Sequence, residues 1–260
     1  MVSARTGLNT LILPILLASA LMVPHASAQI ERTSLDTTPG ATQLKLPPEQ
    51  MGDLLMARKM FRDAIESYRE GPQKSPVIWD KIGIAYHQLG DLNAARKNYE
   101  RAIKLDPKYA DAINNVGTVL YSEKKYRSAI SRYHKALSIA PETASIWSNL
   151  GTAWYARGNY VEMSKCYAKA LEIDPAVFEA HNSVGTTMQD RAVADKARYH
   201  YEMARIYAQA GKNDMALQYL RKSLEEGFKD KDKLSKAPEF AGLRDTTEFK
   251  DLLTLEPRVL

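Results

Sequence analysis

The chain is poor in cysteine, in long apolar runs and in recognisable catalytic motifs, and each shortage removes a class of protein. Cys166 is the only cysteine among 260 residues, so no intramolecular disulfide can form and packing alone must hold the fold. It lies beside Tyr167 in a helical stretch with no base placed near it, which predicts a small buried apolar side chain rather than a nucleophile. The longest apolar run, Leu11 to Val23, covers 13 positions and contains Pro14. Roughly 20 positions are needed to cross a hydrocarbon core, so a permanent membrane-spanning helix is not expected. No Gly-rich phosphate loop, Gly-x-Ser-x-Gly elbow or His-Glu-x-x-His zinc pair occurs. The histidines, His25, His87, His134, His181 and His200, stand at unpaired spacings that suit surface or packing roles better than metal ligation. Catalysis, a resident metal and a cofactor are therefore not expected.

Excess charge is also scarce. Lys and Arg number 36 against 31 Asp and Glu, a formal net charge of +5. Bases and acids alternate in stretches such as Glu123-Lys124-Lys125 and Lys229 to Lys233, the pattern of solvated helix surface. A phosphate-tracking stripe would look different, and nucleic acid is not an expected partner.

What the chain does have is an ordinary globular balance, with 45% apolar and 26% charged residues. The segment from Met1 to Ala28 carries one charge, Arg5, then the apolar run, then Ala26-Ser27-Ala28, the order of a secretory signal peptide. Cleavage is expected after Ala28, which removes one positive charge, leaves +4 and makes the protein secreted or periplasmic. An uncleaved N-terminal anchor is the alternative; a lipid anchor is not expected, because no cysteine follows the run. Residues 29–47, rich in Thr, Pro and Gly, read as a flexible leader.

Self-similarity carries most of the information. Glycine recurs at Gly83, Gly117, Gly151 and Gly185, always at the same interval, accompanied by Ala95, Ala129, Met163 and Ala197 and by Tyr99, Tyr133, Tyr167 and Tyr201. One unit reads Trp79-x-x-Ile82-Gly83-x-x-Tyr86, then Ala95-x-x-x-Tyr99, Ala102 and Pro107. The next two run from Ile113 to Pro141 and from Trp147 to Pro175. A shorter early unit carries Gly52, Leu55, Phe61, Ala64 and Tyr68, and its glycine stands closer to Gly83 than Gly83 does to Gly117. Apolar residues at i, i+3 and i+7 make the stripe of one helix, and Ala95-x-x-x-Tyr99-x-x-Ala102 that of a second. Glycine is expected where the two backbones approach most closely, and Asp106-Pro107 and Asp174-Pro175 close their units.

These columns resemble the tetratricopeptide repeat, whose signature is Trp-x-x-Leu-Gly-x-x-Tyr, Ala-x-x-x-Phe and a closing Pro at a period of about 34 residues, the interval of the glycines here. The resemblance implies an all-α fold, a right-handed superhelical solenoid of helix-turn-helix repeats with short C-terminal capping helices. About five to six units would fill residues 48–228, and residues 229–260 would cap them. Past Pro175 the register is open: Ala197, Tyr201 and Ala204 fit a second helix, and Met203, Ala204 and Tyr207 fit a first. Residues 178–228 are expected to hold three helices.

In the resembled family the first helices line a concave surface that takes peptide. On that stripe lie Asn114, Thr118 and Tyr121; Ser148, Thr152 and Tyr155; and Asn182, Thr186 and Gln189, with Asn115 and Asn149 beside them. An asparagine ladder, similar to the one in the repeats of O-GlcNAc transferase, can donate to and accept from an extended peptide backbone. A clamp for a terminal carboxylate, as in heat-shock chaperone adaptors, would need more bases than Lys81. The expected partner is thus a protein or peptide in this groove, the alternative being a self-assembling or envelope-tethered scaffold without a peptide ligand.

Overall fold

The computed structural model describes residues 46–178 and 193–255, and those residues form helices and turns without a strand. The signal-peptide segment, most of the leader, residues 256–260, and His181, Asn182, Gly185, Thr186 and Gln189 lie outside the described residues.

Among the described residues, consecutive helices form five pairs. They are α1 (Pro48–Ala57) with α2 (Phe61–Arg69), α3 (Pro76–Gln88) with α4 (Leu92–Leu105), and α5 (Ala110–Ser122) with α6 (Tyr126–Leu137). The fourth pair is α7 (Ala144–Ala156) with α8 (Tyr160–Ile173), and the fifth α9 (Val193–Gln209) with α10 (Asn213–Glu225). Local chemistry starts and stops them. The side chains of Ser75, Asp91 and Asn159 accept from the backbone N–H groups of Ile78, Ala94 and Glu162, satisfying donors that the first turn leaves over. At the far ends of α4 and α8, Asp106 and Asp174 leave the helical region ahead of Pro107 and Pro175, and each carboxylate accepts from the N–H two residues on at 2.9 Å.

Within the first four pairs a glycine faces a tyrosine 16 positions later. A Cβ added to Gly52, Gly83, Gly117 or Gly151 would lie 2.3–2.6 Å from the nearest ring atom of Tyr68, Tyr99, Tyr133 or Tyr167. That is far inside carbon contact, so the tyrosine fills the space the missing side chain leaves. Because this spacing within a pair is constant, the shortening of the first unit falls after its tyrosine: Tyr68 is nearer to Gly83 than Tyr99 is to Gly117. The end of α2 is what is cut short: α2 stops at Arg69, directly after Tyr68, whereas α4 runs on from Tyr99 to Leu105, and the pairing of α1 with α2 is intact. Each pair also turns through a left-handed residue two positions beyond its first helix, at Lys59, Gly90, Lys124, Gly158 and Gly211. The same two hydrogen bonds close each turn, as when Lys124 N–H donates to the Tyr121 carbonyl and Lys125 N–H to that of Leu120.

α2 packs on α3, α4 on α5 and α6 on α7, which stacks the pairs. First helices also pack on the first helix of the next pair, α3 on α5 and α5 on α7, and among the described residues no second helix packs comparably on the next second helix. The array is therefore tighter along its first helices, which form the inner face, and the second helices fan across the outer one.

The structure closes the open register. α9 packs on α8, with the Tyr199 ring 4.9 Å from that of Tyr155 at the end of α7, and forms a hairpin with α10. It is the first helix of its pair, with Met203, Ala204 and Tyr207 in the signature places and Ala216 and Leu220 following on α10. Ala197 and Tyr201, which continue the repeat columns, thus belong to a first helix and not to a second. Beyond α10, helix α11 (Lys231–Lys236), a 3-10 turn at Pro238–Phe240 and α12 (Thr247–Thr254) bury Leu234, Phe240, Leu243, Phe249 and Leu252 in the core shared with α9 and α10. Tyr201 stacks on Phe228 at 4.4 Å, and Arg205 reaches from α9 to Glu239 at 3.0 Å.

Candidate functional site

The inner face is wired from one first helix to the one before it. Lys81 Nζ on α3 donates to Glu49 Oε1 and to both Asp53 oxygens on α1, each at 2.8 Å. Asn115 Nδ2 on α5 donates to Asp80 Oδ1 on α3 at 2.9 Å, and Asn149 Nδ2 on α7 to Asn114 Oδ1 on α5 at 3.0 Å. Within α5, Asn114 Nδ2 donates to Asn115 Oδ1 at 3.1 Å. The amides thus form one directed chain, Asn149 to Asn114 to Asn115 to Asp80, crossing three helix pairs.

That chain ends on a buried acid. Asp80 is 4% exposed, and burial pushes its carboxyl pKa up to about 6; the Asn115 donor opposes the rise and the Asp111 carboxylate adds to it. Lys81 is committed to Glu49 and Asp53, so it is not a free cation for a terminal carboxylate. Each amide spends one N–H on a neighbour and keeps a second, and the half-buried Ser148 hydroxyl and exposed Asp111 carboxylate lie along the same row. Such a row offers alternating donors and acceptors at the spacing of successive helices.

The other sequence-predicted residues divide. Thr118 and Thr152, half-buried, donate to the carbonyls of Asn114 and Ser148 at 3.3 and 2.9 Å. Each hydroxyl also bonds the tyrosine in its glycine cleft, Tyr133 at 3.4 Å and Tyr167 at 2.9 Å, which fixes those rings. Tyr121 is half-buried, its ring 5.3 Å from that of Tyr126. Tyr155 corrects the sequence reading: it is 0% exposed, packed between pairs against Tyr160 and Tyr199, and does not line the face. It is drawn inward because α8 and α9 supply the aromatic rings that enclose it. Missed from sequence was Asp80, whose signal was an acid one residue before Lys81 at the place Asn114 takes in the next unit.

The matches to known proteins fall on these same helices. Residues 83–122 match the family described as TPR repeat, and residues 117–178 and 197–226 match tetratricopeptide repeat families. Residues 83–178 and 197–226 are tetratricopeptide repeats. The last match starts at Ala197 and ends at Glu226, the register that makes α9 a first helix. Small glutamine-rich tetratricopeptide repeat-containing protein 2 of Mycosarcoma maydis is 30% identical over 82 residues, 30% of this chain and 23% of that protein. The chain thus spans about a quarter of that relative's length. Among solved structures, MamA is 28% identical over 52% of this chain and 75% of its own, with a TM-score of 0.44. Pseudomonas aeruginosa PilF is 19% identical over 79% of this chain and 85% of its own, with a TM-score of 0.51, a likeness of fold. A tetratricopeptide array of this kind is a scaffold for protein–protein interaction.

Proposed function

We propose that the inner face of the tetratricopeptide array binds an extended segment of a partner polypeptide, with Asn114, Asn115, Ser148 and Asn149 meeting its backbone. The observation that supports this reading is the continuous amide chain from Asn149 to Asp80. Because each amide is held by a neighbour, it is already oriented when a peptide arrives, and little side-chain entropy remains to be lost. Backbone bonding of this kind is indifferent to the partner's side chains, so sequence preference would come from Asp111 and the half-buried Tyr121 at the margin. No covalent chemistry is assigned to the groove.

We further propose that the protein acts outside the cytoplasm, with the segment from Met1 to Ala28 removed. N-terminal sequencing of the protein from its cell should then begin at Gln29; an intact N-terminus would overturn the cleavage.

A photo-crosslinking amino acid at Ser148 tests the groove, with Val161 on the outer α8, 63% exposed, as the matched position. Partner adducts should form from Ser148 and not from Val161. Adducts from Val161 alone would move the site to the outer face, and adducts only to a second copy of the chain would replace the peptide ligand by self-assembly.

A further inference from the structure

The net charge of the chain is concentrated on one part of the outer face. Residues 92–138, from the start of α4 to just past α6, hold ten Lys and Arg against four Asp and Glu, a surplus of +6. The whole chain carries +5, so all other residues together sum to −1. The sequence-level impression of interleaved charges fails here.

Placement makes the surplus a surface. α4 buries Ala95, Tyr99 and Ala102 and exposes Lys97, Arg101 and Lys104 on the opposite side. α6 buries Ala129, Ile130, Tyr133 and Ala136 and exposes Arg127, Arg132 and Lys135, with no acid in its length. Both are second helices of consecutive pairs, so these six cations share the outer face. The second helices on either side show what a merely solvated face looks like: Arg69 pairs with Glu66 on α2 at 3.0 Å, and Lys165 with Glu162 and Lys169 with Glu172 on α8 at 2.7 and 3.0 Å. Among the described residues none of the six cations on α4 and α6 makes an ion pair. The Arg101 guanidinium sits over Trp79, its Cζ 3.4 Å from the ring centre, which holds its charge against the surface.

We propose that this outer face docks on an anionic lipid bilayer. A plane of negative headgroups can meet all six cations on this face at once. A nucleic-acid strand would need a groove to follow or exposed rings to stack on, and of the tyrosines on these two helices Tyr99 and Tyr133 are buried and Tyr126 is half-buried beside Tyr121. Each basic residue close to an anionic leaflet strengthens binding about fivefold, and the attraction fades within a Debye length of about 8 Å at physiological salt. Docked this way, the array turns its inner face away from the membrane, so lipid and polypeptide can be held together. The proposal does not depend on the groove reading, since vesicle binding is measured without any peptide.

The test is co-sedimentation of the full chain with vesicles of phosphatidylcholine alone and with about one third phosphatidylglycerol added. Arg127→Glu, Arg132→Glu and Lys135→Glu together form the variant. Arg221→Glu, Lys229→Glu and Lys250→Glu, exposed residues elsewhere, form the control with the same change of net charge. The apolar run Leu11 to Val23 is common to all three proteins and to both vesicles, so only the charge-dependent difference is read. Binding should be stronger on the anionic vesicles, fall steeply with salt, drop about 100-fold in the α6 variant and hold within a few-fold in the control. Equal binding to both vesicles, an α6 variant that binds as the parent does, or an equal drop in the control would overturn the proposal. So would a short DNA duplex that binds more tightly than the vesicles with the same dependence on α6.

Discussion

Replacing Gly117 by Ala tests the contact that repeats most regularly in the array. The added methyl would lie 2.6 Å from a Tyr133 ring atom, about 1 Å inside ordinary carbon contact. Tyr133 is 2% exposed and its hydroxyl bonds Thr118, so the ring cannot swing aside without parting α5 from α6. Overpacking of this kind costs about 1–3 kcal/mol, against which alanine gains about 1 kcal/mol of helix propensity over glycine. The net loss should be up to about 2 kcal/mol. Tyr133→Leu alone empties space and should cost about 2 kcal/mol. Together the two changes reproduce the fifth pair, where Ala204 and Leu220 occupy the equivalent places and are both 0% exposed. The double variant should therefore recover at least about 1 kcal/mol relative to the sum of the singles. Urea midpoints of the four proteins measure this. Additive losses, or a Gly117→Ala variant more stable than its parent, would refute the claim that glycine stands there to admit the ring.

Asp80→Asn should raise stability at neutral pH by up to about 2–3 kcal/mol. The folded carboxyl holds its proton to about pH 6 and the unfolded one only to about 3.8, so the parent loses stability as pH rises between those values and does not regain it by pH 7. The groups facing it are Asn115 and Asp111 on α5, Tyr99 on α4 and Tyr109 before α5. Urea midpoints at pH 4.5 and 7 should converge in the variant, and an unchanged slope would exonerate the carboxylate. Lys124→Gly should stabilise by about 1 kcal/mol, because Lys124 sits at φ 60° in the left-handed region; a lower urea midpoint would contradict this. Arg205→Ala should cost about 3 kcal/mol by stranding the enclosed carboxylates of Glu202 and Glu239, with proteolysis of residues 229–255 appearing first; unchanged cleavage there would mean that apolar packing alone seats the segment.

The sequence was most legible where chemistry repeats. Gly83, Gly117 and Gly151 with Tyr99, Tyr133 and Tyr167 announce the helix pairs, because a bare backbone and a ring recur at one spacing. It was ambiguous at Ala197 to Tyr207, where alanine and tyrosine suit either helix of a pair and only packing against α8 and α10 decides. The asparagines were legible as a row, but not the direction of their hydrogen bonds, since Asn149 meets Asn114 only after two helix pairs have stacked. Tyr155 looked like its counterpart Tyr121 and was drawn inward by Tyr199, a ring supplied by α9. The outer charge surplus was hidden because local windows such as Glu123-Lys124-Lys125 look balanced, and only the folding of α4 and α6 onto one face gathers their cations.

Hydrogen exchange on the purified complex with a captured partner addresses the central claim most directly. Binding should slow exchange along the inner helices α3, α5 and α7 and leave the outer α4, α6 and α8 unchanged. Protection confined to the outer helices, with the inner ones exchanging as in the free protein, would contradict it.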